Sequence, residues 1–129
     1  MKPMIGDWLN TNTSIETITT FAGKVFLRHD FGGFTGDPQF VKNAYSPITF
    51  STERSYLAGL YAWRAQHSAD DAEKKRMNEE ADFAFRQSLA LCPYSPEVVK
   101  GYIDFLKNQN RHSDAALVDE MAKQFPRQK

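Results

Sequence analysis

The chain has 129 residues, and its 16 Lys and Arg residues balance 16 Asp and Glu residues. This length predicts one domain or one short array of repeats. Its 41% hydrophobic and 25% charged residues argue against a wholly disordered chain. Zero net charge gives no basic footprint of the kind expected for nucleic-acid binding or for a polybasic membrane-surface protein.

Processing and location are left open by the sequence. The N-terminus has no apolar core of the ~7–15 residues that a signal peptide needs, and no stretch reaches the ~18 consecutive apolar residues of a membrane span. Cys92 is the single cysteine, so an internal disulfide is excluded. We expect the chain not to insert into a membrane by itself, although the extracytoplasmic tail of a membrane protein would have the same features.

Residues 1–50 are predicted to be a helical and Gly-rich capping segment. Thr13 with Glu16 resembles a capping box, and a helix is favoured over a strand because apolar residues follow at helical spacing. The β-branched composition keeps a strand open as the alternative. A loop is predicted over residues 31–37, and a short helix from Asp37 through Asn43.

Four helices are predicted after a turn at Ser46-Pro47. Their apolar residues recur every three or four positions, and Ser51, Ser68 and Ser95 are the predicted N-caps of the first three. The second helix ends before Pro93, because a proline disfavours helix at the residue before it. The four predicted helices cover roughly residues 51–66, 69–91, 96–107 and 113–125.

An internal repeat organises these helices. The offsets of four residues in the second helix resemble the second-helix pattern of the tetratricopeptide repeat, and two residues of the first helix match its Leu and Tyr positions. The resemblance implies an all-α fold of two degenerate tetratricopeptide-like hairpins over residues 51–129. The repeat-packing residues are Leu57, Tyr61, Ala81, Phe85, Ser88 and Pro93.

Two repeats are fewer than the three or so that a solenoid usually needs. Residues 1–50 are therefore predicted to form one domain with the repeat region by covering its first hairpin. Six aromatic residues are the candidates for this contact: Trp8, Phe21, Phe26, Phe31, Phe34 and Phe40.

Three stretches carry a more specific resemblance: Tyr61-Ala62-Trp63-Arg64, residues 80–87 and residues 91–97. They resemble the C-terminal region of large multi-spanning bacterial membrane proteins of unassigned function, whose membrane part is similar to protein O-mannosyltransferases. The resemblance implies a non-catalytic accessory tail, because the acidic residues expected to act in sugar transfer would lie in the membrane part. No catalytic residue is transferred to this chain.

Catalytic and metal-binding signatures are weak. The histidines His29, His67 and His112 lie in separate segments without the clustered ligands of a metal site, so no metal or cofactor is expected. Cys92 is predicted to be a buried structural thiol. Aromatic residues at helical spacing are predicted to belong to the core. They are Tyr56, Tyr61, Trp63, Phe83 and Phe85.

The leading functional hypothesis is a protein-interaction or scaffolding module that binds a protein or peptide. The resemblance to tetratricopeptide arrays implies a groove between the first and third helices, lined by Trp63, Lys100, Asp104, Lys107 and Asn108. Lys100 and Lys107 would pair with a carboxylate of the partner. Two alternatives remain open: a small enzyme or ligand-binding domain using the loop from Arg28 to Asp37, and a structural element that forms a homodimer.

Overall fold

The computed structural model describes residues 2–43 and 45–126, without the side chains of Lys2 and Pro3. These residues form helices and connecting loops and contain no strand, so the predicted all-α class is confirmed. Within the same ranges, no helix is both long enough and apolar enough to cross a bilayer. The helices are α1 (Lys2–Ile5), α2 (Ile15–Phe21), α3 (Pro38–Lys42), α4 (Ser46–Gln66), α5 (Asp71–Leu91), α6 (Pro96–Asn108) and α7 (His112–Lys123).

The first predicted helix exists, and the strand alternative is wrong. Ser14, not Thr13, is the N-cap of α2, since its hydroxyl accepts a hydrogen bond from the Thr17 amide at 3.1 Å. A π-helical segment, Ala22–Leu27, continues α2 without a break. Helical winding puts the apolar residues of both pieces on one buried face, which outweighs the β-branched composition.

Only glycine fits at position 36, in the loop before α3. A Cβ on Gly36 would come within 2.5 Å of the Ile5 backbone, so only glycine fits this crossing of two chain segments. The neighbouring Asp37 amide donates to the Met4 carbonyl at 3.0 Å, which ties the loop to α1. The short helix predicted from Asp37 begins here, and the Asp37 carboxylate caps α3 by accepting from the Gln39 amide.

Helix α4 begins five residues earlier than predicted. The turn predicted at Ser46-Pro47 is instead its first turn, because proline is compatible with that position. The Asn43 side chain accepts hydrogen bonds from the Tyr45 and Ser46 amides and so holds the chain at this start, although Asn43 is not itself the N-cap. The proposed boundary near residue 50 falls inside a continuous helix.

Ser51 is therefore not an N-cap but a buried contact between α4 and α5. Its hydroxyl donates to the Ser88 carbonyl at 2.9 Å, and the Ser88 hydroxyl donates back to the Ser51 carbonyl at 3.0 Å. Further along, Arg64 lies 4.0 Å from Glu73, so the two helices run antiparallel. Small residues line the inner side of this hairpin, and they are Ser51, Ala58, Ala65, Ala81, Ala84 and Ser88.

The six residues predicted to pack the repeats differ in burial. Ala81, Phe85, Ser88 and Pro93 are buried, and Tyr61 is half-buried against the core. Leu57 is 42% exposed. It cannot lie between α4 and α5, because the neighbouring Ala58 already occupies the inward position.

The later helices follow the sequence more closely. Helix α5 is capped by Asp70 rather than by Ser68, whose hydroxyl accepts from the Asp70 amide instead. Ser95 caps α6 as predicted, with Pro96 in the first turn and the helix ending at Asn108. Helix α7 packs against α6 and forms the second hairpin of the molecule.

The N-terminal segment contacts both hairpins. Helix α2 packs against α5 and α7, the second helices of the two hairpins, and not only against the first hairpin. Aromatic rings of this segment pack against aromatic rings of the hairpins. The ring centroids of Phe26 and Tyr94 are 6.2 Å apart, and those of Phe40 and Phe50 are 6.1 Å apart. The outward face of α4 remains open to solvent.

Candidate functional site

The five residues predicted to line a groove are all exposed at the surface. Lys100 donates to Asp104 at 2.8 Å, one helical turn away, and this hydrogen bond and charge raise the pKa of Lys100. Lys107 and Asn108 are exposed and make no side-chain hydrogen bond or ion pair with the described residues. Trp63 is 58% exposed and stacks on His67, with ring centroids 4.1 Å apart.

The structure places Lys100 and Asn108 at two different clefts. Lys100 borders a depression between α6 and α7, opposite Asp119 and Phe125. Asn108 borders a second depression, where the C-terminal ends of α4 and α6 meet the start of α5. The residues of the predicted groove are therefore divided between two clefts. Only the cleft at Asn108 lies between α4 and α6, the first and third of the four predicted helices.

This second depression has an unusual lining. Its volume is about 330 Å³, and its apolar floor is made by Ala62, Ala65 and Phe105. Around the floor stand four side-chain amides and one lysine. We call it the amide cleft, and its polar residues are Gln66, Lys74, Asn78, Asn108 and Gln109.

The amide cleft continues over the surface of α5 and α6. A neighbouring depression of about 400 Å³ shares four of its lining residues and extends to Arg111 and Asp82. The two depressions therefore form one groove. Lys75 and Glu79 stand along its outer part, so the extension is charged where the amide cleft is mostly neutral.

The four side-chain amides are chemically available. Each carboxamide offers two N–H donors and one carbonyl acceptor. None of the four makes a side-chain hydrogen bond with another described residue, in contrast to Asn43 and Asn10, whose amides cap local turns. Such groups match the alternating donors and acceptors of a peptide main chain.

A polar network beneath the groove holds α5, α6 and α7 together. Asp82 accepts from the Tyr102 hydroxyl at 2.7 Å and from Arg111 at 2.9 Å. Arg111 also donates to Asp114, and Arg86 reaches back to the Thr13 carbonyl of the N-terminal segment. Charge-assisted hydrogen bonds of this kind fix the groove wall more firmly than neutral ones would.

The three contacts of Asp82 in this network have further consequences. Burial, together with the Asp82 charge, raises the pKa of Tyr102, which keeps its hydroxyl a donor. Burial alone would lower the pKa of Arg111, but Asp82 and its other partners raise it. Arg86 Nε lies 2.8 Å from Asp82, and because its N–H has no aligned acceptor among the described residues, that contact is an ion pair only.

The charged and histidine residues of the alternative site, Arg28, His29, Asp30 and Asp37, do not line one common pocket. The Asp30 carboxylate accepts from the Gly32 amide, whereas Asp37 caps α3. His29 borders a separate cleft beside Phe26 and Tyr94. In the described part of the chain, no three His, Cys, Asp or Glu side chains are placed to hold a metal ion.

Side-chain burial tests the predictions for Cys92 and for the aromatic residues at helical spacing. Cys92 is fully buried, as predicted, and desolvation raises the pKa of its thiol to about 11. The aromatic stripe is only partly in the core: Phe85 is buried, while Tyr61 and Phe83 are half-buried. Tyr56 is 72% exposed and Trp63 also faces solvent, so that prediction is wrong for both, because α4 buries its small residues instead.

Most of the amide cleft was missed by sequence reasoning. The sequence predicts Asn108 as a groove residue but gives Gln109 no functional role. Lys74 and Asn78 lie on one face of α5 four residues apart, but neither belongs to a recognisable motif, and the charged residues around Lys74 are typical of a solvated surface. The signal that joins them to Asn108 is tertiary, since α4, α5 and α6 must first be brought together.

Comparisons with protein families, with characterised proteins and with solved structures find no match to this chain.

Proposed function

We propose that this chain is a non-catalytic interaction module that binds an extended peptide segment of a partner protein. The observation that carries the proposal is the amide cleft, where four unengaged carboxamides surround an apolar floor. An extended peptide exposes one main-chain donor and one acceptor per residue, and carboxamides satisfy both. The floor formed by Phe105 and two alanines would accept a small apolar side chain of the peptide.

The single charged side chain that lines the amide cleft, Lys74, favours an acidic partner. Lys74 lies within the lining, and Lys107 precedes Asn108 in the chain without an ion-pair partner among the described residues. Lys100 is already paired with Asp104, so its contribution is smaller. The bound peptide therefore carries a carboxylate beside an apolar residue, held at the α4–α6 end of the groove.

A library of random peptides displayed with free C-termini tests this proposal. Peptides selected on the wild-type protein should be enriched in Asp and Glu beside a small apolar residue. Their affinity should fall about tenfold or more in Asn108→Asp with Lys74→Glu, because the amide donor and the positive charge are both lost. Lys107→Glu should weaken binding less, and Lys100→Glu least.

The matched control is Lys123→Glu, which removes an exposed lysine of α7 outside the cleft. Circular dichroism of every variant verifies that the helices are retained. Selection of no peptide, or equal affinity for wild type and the Asn108→Asp, Lys74→Glu protein, would overturn the proposal.

We further propose that the two hairpins are tetratricopeptide-like and that the module is an accessory tail of a membrane glycosyltransferase-like protein. Support comes from the residue strings that resemble such tails and from two successive helical hairpins. The coding sequence should then lie within, or directly beside, that of a multi-spanning membrane protein. A position unrelated to any membrane-protein gene in several genomes would count against this assignment.

A further inference from the structure

The outward face of α4 carries a regular stripe that the peptide proposal does not use. Its residues are spaced alternately by three and four positions, which is the repeat of a helix that packs along another helix. Over 18 positions the stripe is about 26 Å long. We call it the α4 seam, and its members are Phe50, Glu53, Leu57, Leu60, Arg64 and His67.

The centre of the α4 seam is apolar and open to solvent. Leu57 is 42% exposed and Leu60 is 62% exposed, an unusual position for leucines on a helix with a fully buried opposite face. Contiguous apolar surface of this kind marks an interaction site more often than isolated exposed residues do. The seam faces away from Ala58 and Ala65, the residues that contact α5.

The order of residues along the seam is self-complementary. If a second α4 is laid antiparallel about a two-fold axis between residues 58 and 59, positions whose numbers add to 117 face each other. Glu53 then faces Arg64 of the second copy, and Leu57 faces Leu60. Both contacts occur twice, so the charges match at each end of an apolar centre.

The charged members are free to make these contacts. Glu53 is exposed and has no ion-pair partner among the described residues. Arg64 is 56% exposed and has only a 4.0 Å contact with Glu73, longer than a direct hydrogen bond. On one flank of the seam, Tyr56 and the Trp63–His67 stack add aromatic surface that a second copy would cover.

We propose that two copies of this chain form an antiparallel homodimer through the α4 seam. The apolar centre supplies the attraction, and the Glu53–Arg64 pairs fix direction and register, since a parallel alignment would bring like charges together. The seam and the amide cleft lie on different sides of α4, so the dimer leaves the proposed peptide site open. Failure of either proposal therefore leaves the other standing.

Sedimentation equilibrium over a concentration series tests the dimer. The wild-type chain should approach twice its monomer mass of 14.7 kDa. Leu60→Asp should remain a monomer, because it places a carboxylate opposite the Leu57 of the second copy. Each single reversal, Glu53→Arg or Arg64→Glu, should weaken the dimer at least tenfold by opposing like charges.

The double variant Glu53→Arg, Arg64→Glu is the decisive protein. It should recover most of the wild-type dimer affinity, because the swapped charges again face each other only in the antiparallel register. The matched control, Arg76→Glu with Glu80→Arg, swaps two exposed charges of α5 that lie outside α4 and should dimerise like wild type. A monomeric wild type, a dimeric Leu60→Asp, or no recovery in the double variant would overturn the proposal.

A cross-link tests the register independently of affinity. In an equimolar mixture of Glu53→Cys and Arg64→Cys chains, oxidation should produce mainly the mixed disulfide dimer, since residues 53 and 64 face each other. The native Cys92 is buried and should not take part. A predominance of 53–53 and 64–64 dimers would exclude the antiparallel register.

Discussion

The two hairpins of this chain are built on opposite packing schemes. In the first, α4 buries Ser51, Ala58 and Ala65 against the small residues of α5, and its large apolar residues face outward. In the second, α6 buries Tyr102 and Leu106, together with other large side chains of α6 and α7. Both helices show apolar residues at helical spacing, but only in α6 does the larger apolar face lie inside.

This difference shows that shape can decide which face of a helix is buried. Small residues let two long helices approach closely over their full length, and the Ser51–Ser88 pair satisfies its own polar groups within that contact. The leucines and aromatics of α4 would hold the helices apart. They remain at the surface, where they are available for another molecule.

The largest expected effect contrasts a leucine from each hairpin. Leu106→Ala should destabilise the protein by about 2–5 kcal/mol, because Leu106 is fully buried and its loss leaves a cavity. Leu60→Ala should change the free energy of unfolding by only about 0.5 kcal/mol, as usual for a surface position. Urea unfolding in dilute solution, where self-association is negligible, measures both. Similar losses in the two variants would show that the outer face of α4 is part of the core.

The next effect tests whether the first hairpin depends on small residues. Ala58→Leu should cost about 1–3 kcal/mol, because the added atoms would separate α4 from α5. The adjacent Gly59→Ala is the matched control, since a Cβ there meets no atom within 4 Å. That substitution should stabilise α4 by about 0.5–1 kcal/mol, as alanine is the better helix former. Thermal melts of both variants compare them directly, and an unchanged melting temperature in Ala58→Leu would disprove close packing at this position.

Local signals predicted much of the fold. The cap at Ser95 and the start of a short helix at Asp37 were correctly predicted, because each depends only on a side-chain acceptor and a nearby amide. The start of α4 was predicted wrongly, because the Ser46-Pro47 pair is compatible both with a turn between helices and with the first turn of a helix. The helix is favoured at this position by Asn43, whose side-chain oxygen accepts hydrogen bonds from the Tyr45 and Ser46 amides.

The candidate site was less predictable than the fold. Asn108 was identified through a repeat pattern, but its partners Gln66 and Lys74 come from other helices, and nothing in their own segments singles them out. The exposed face of α4 was assigned to the core, because periodicity alone measures apolar spacing and not side-chain volume. Both errors arise where tertiary packing, rather than local sequence, decides the outcome.

The smallest effect appears at alkaline pH and involves the link between the hairpins. Burial raises the pKa of the Cys92 thiol from 9.0 to about 11. Above pH 9 the unfolded chain releases this proton while the folded chain keeps it, so the free energy of unfolding falls as the pH rises from 9 to 11. Below pH 9 the contribution of the protonated thiol to stability is complete. By about pH 10 the loss should be roughly 1 kcal/mol.

Urea unfolding at a series of pH values should therefore give a steeper decline between pH 9 and 11 in wild type than in Cys92→Ala. Both proteins keep the later decline due to Tyr102, whose burial beside Asp82 also raises its pKa. The comparison uses slopes, so the constant cost of removing the buried sulfur cancels. Parallel slopes would mean that the thiol ionises equally well in both states, and that the link between the hairpins is open to water.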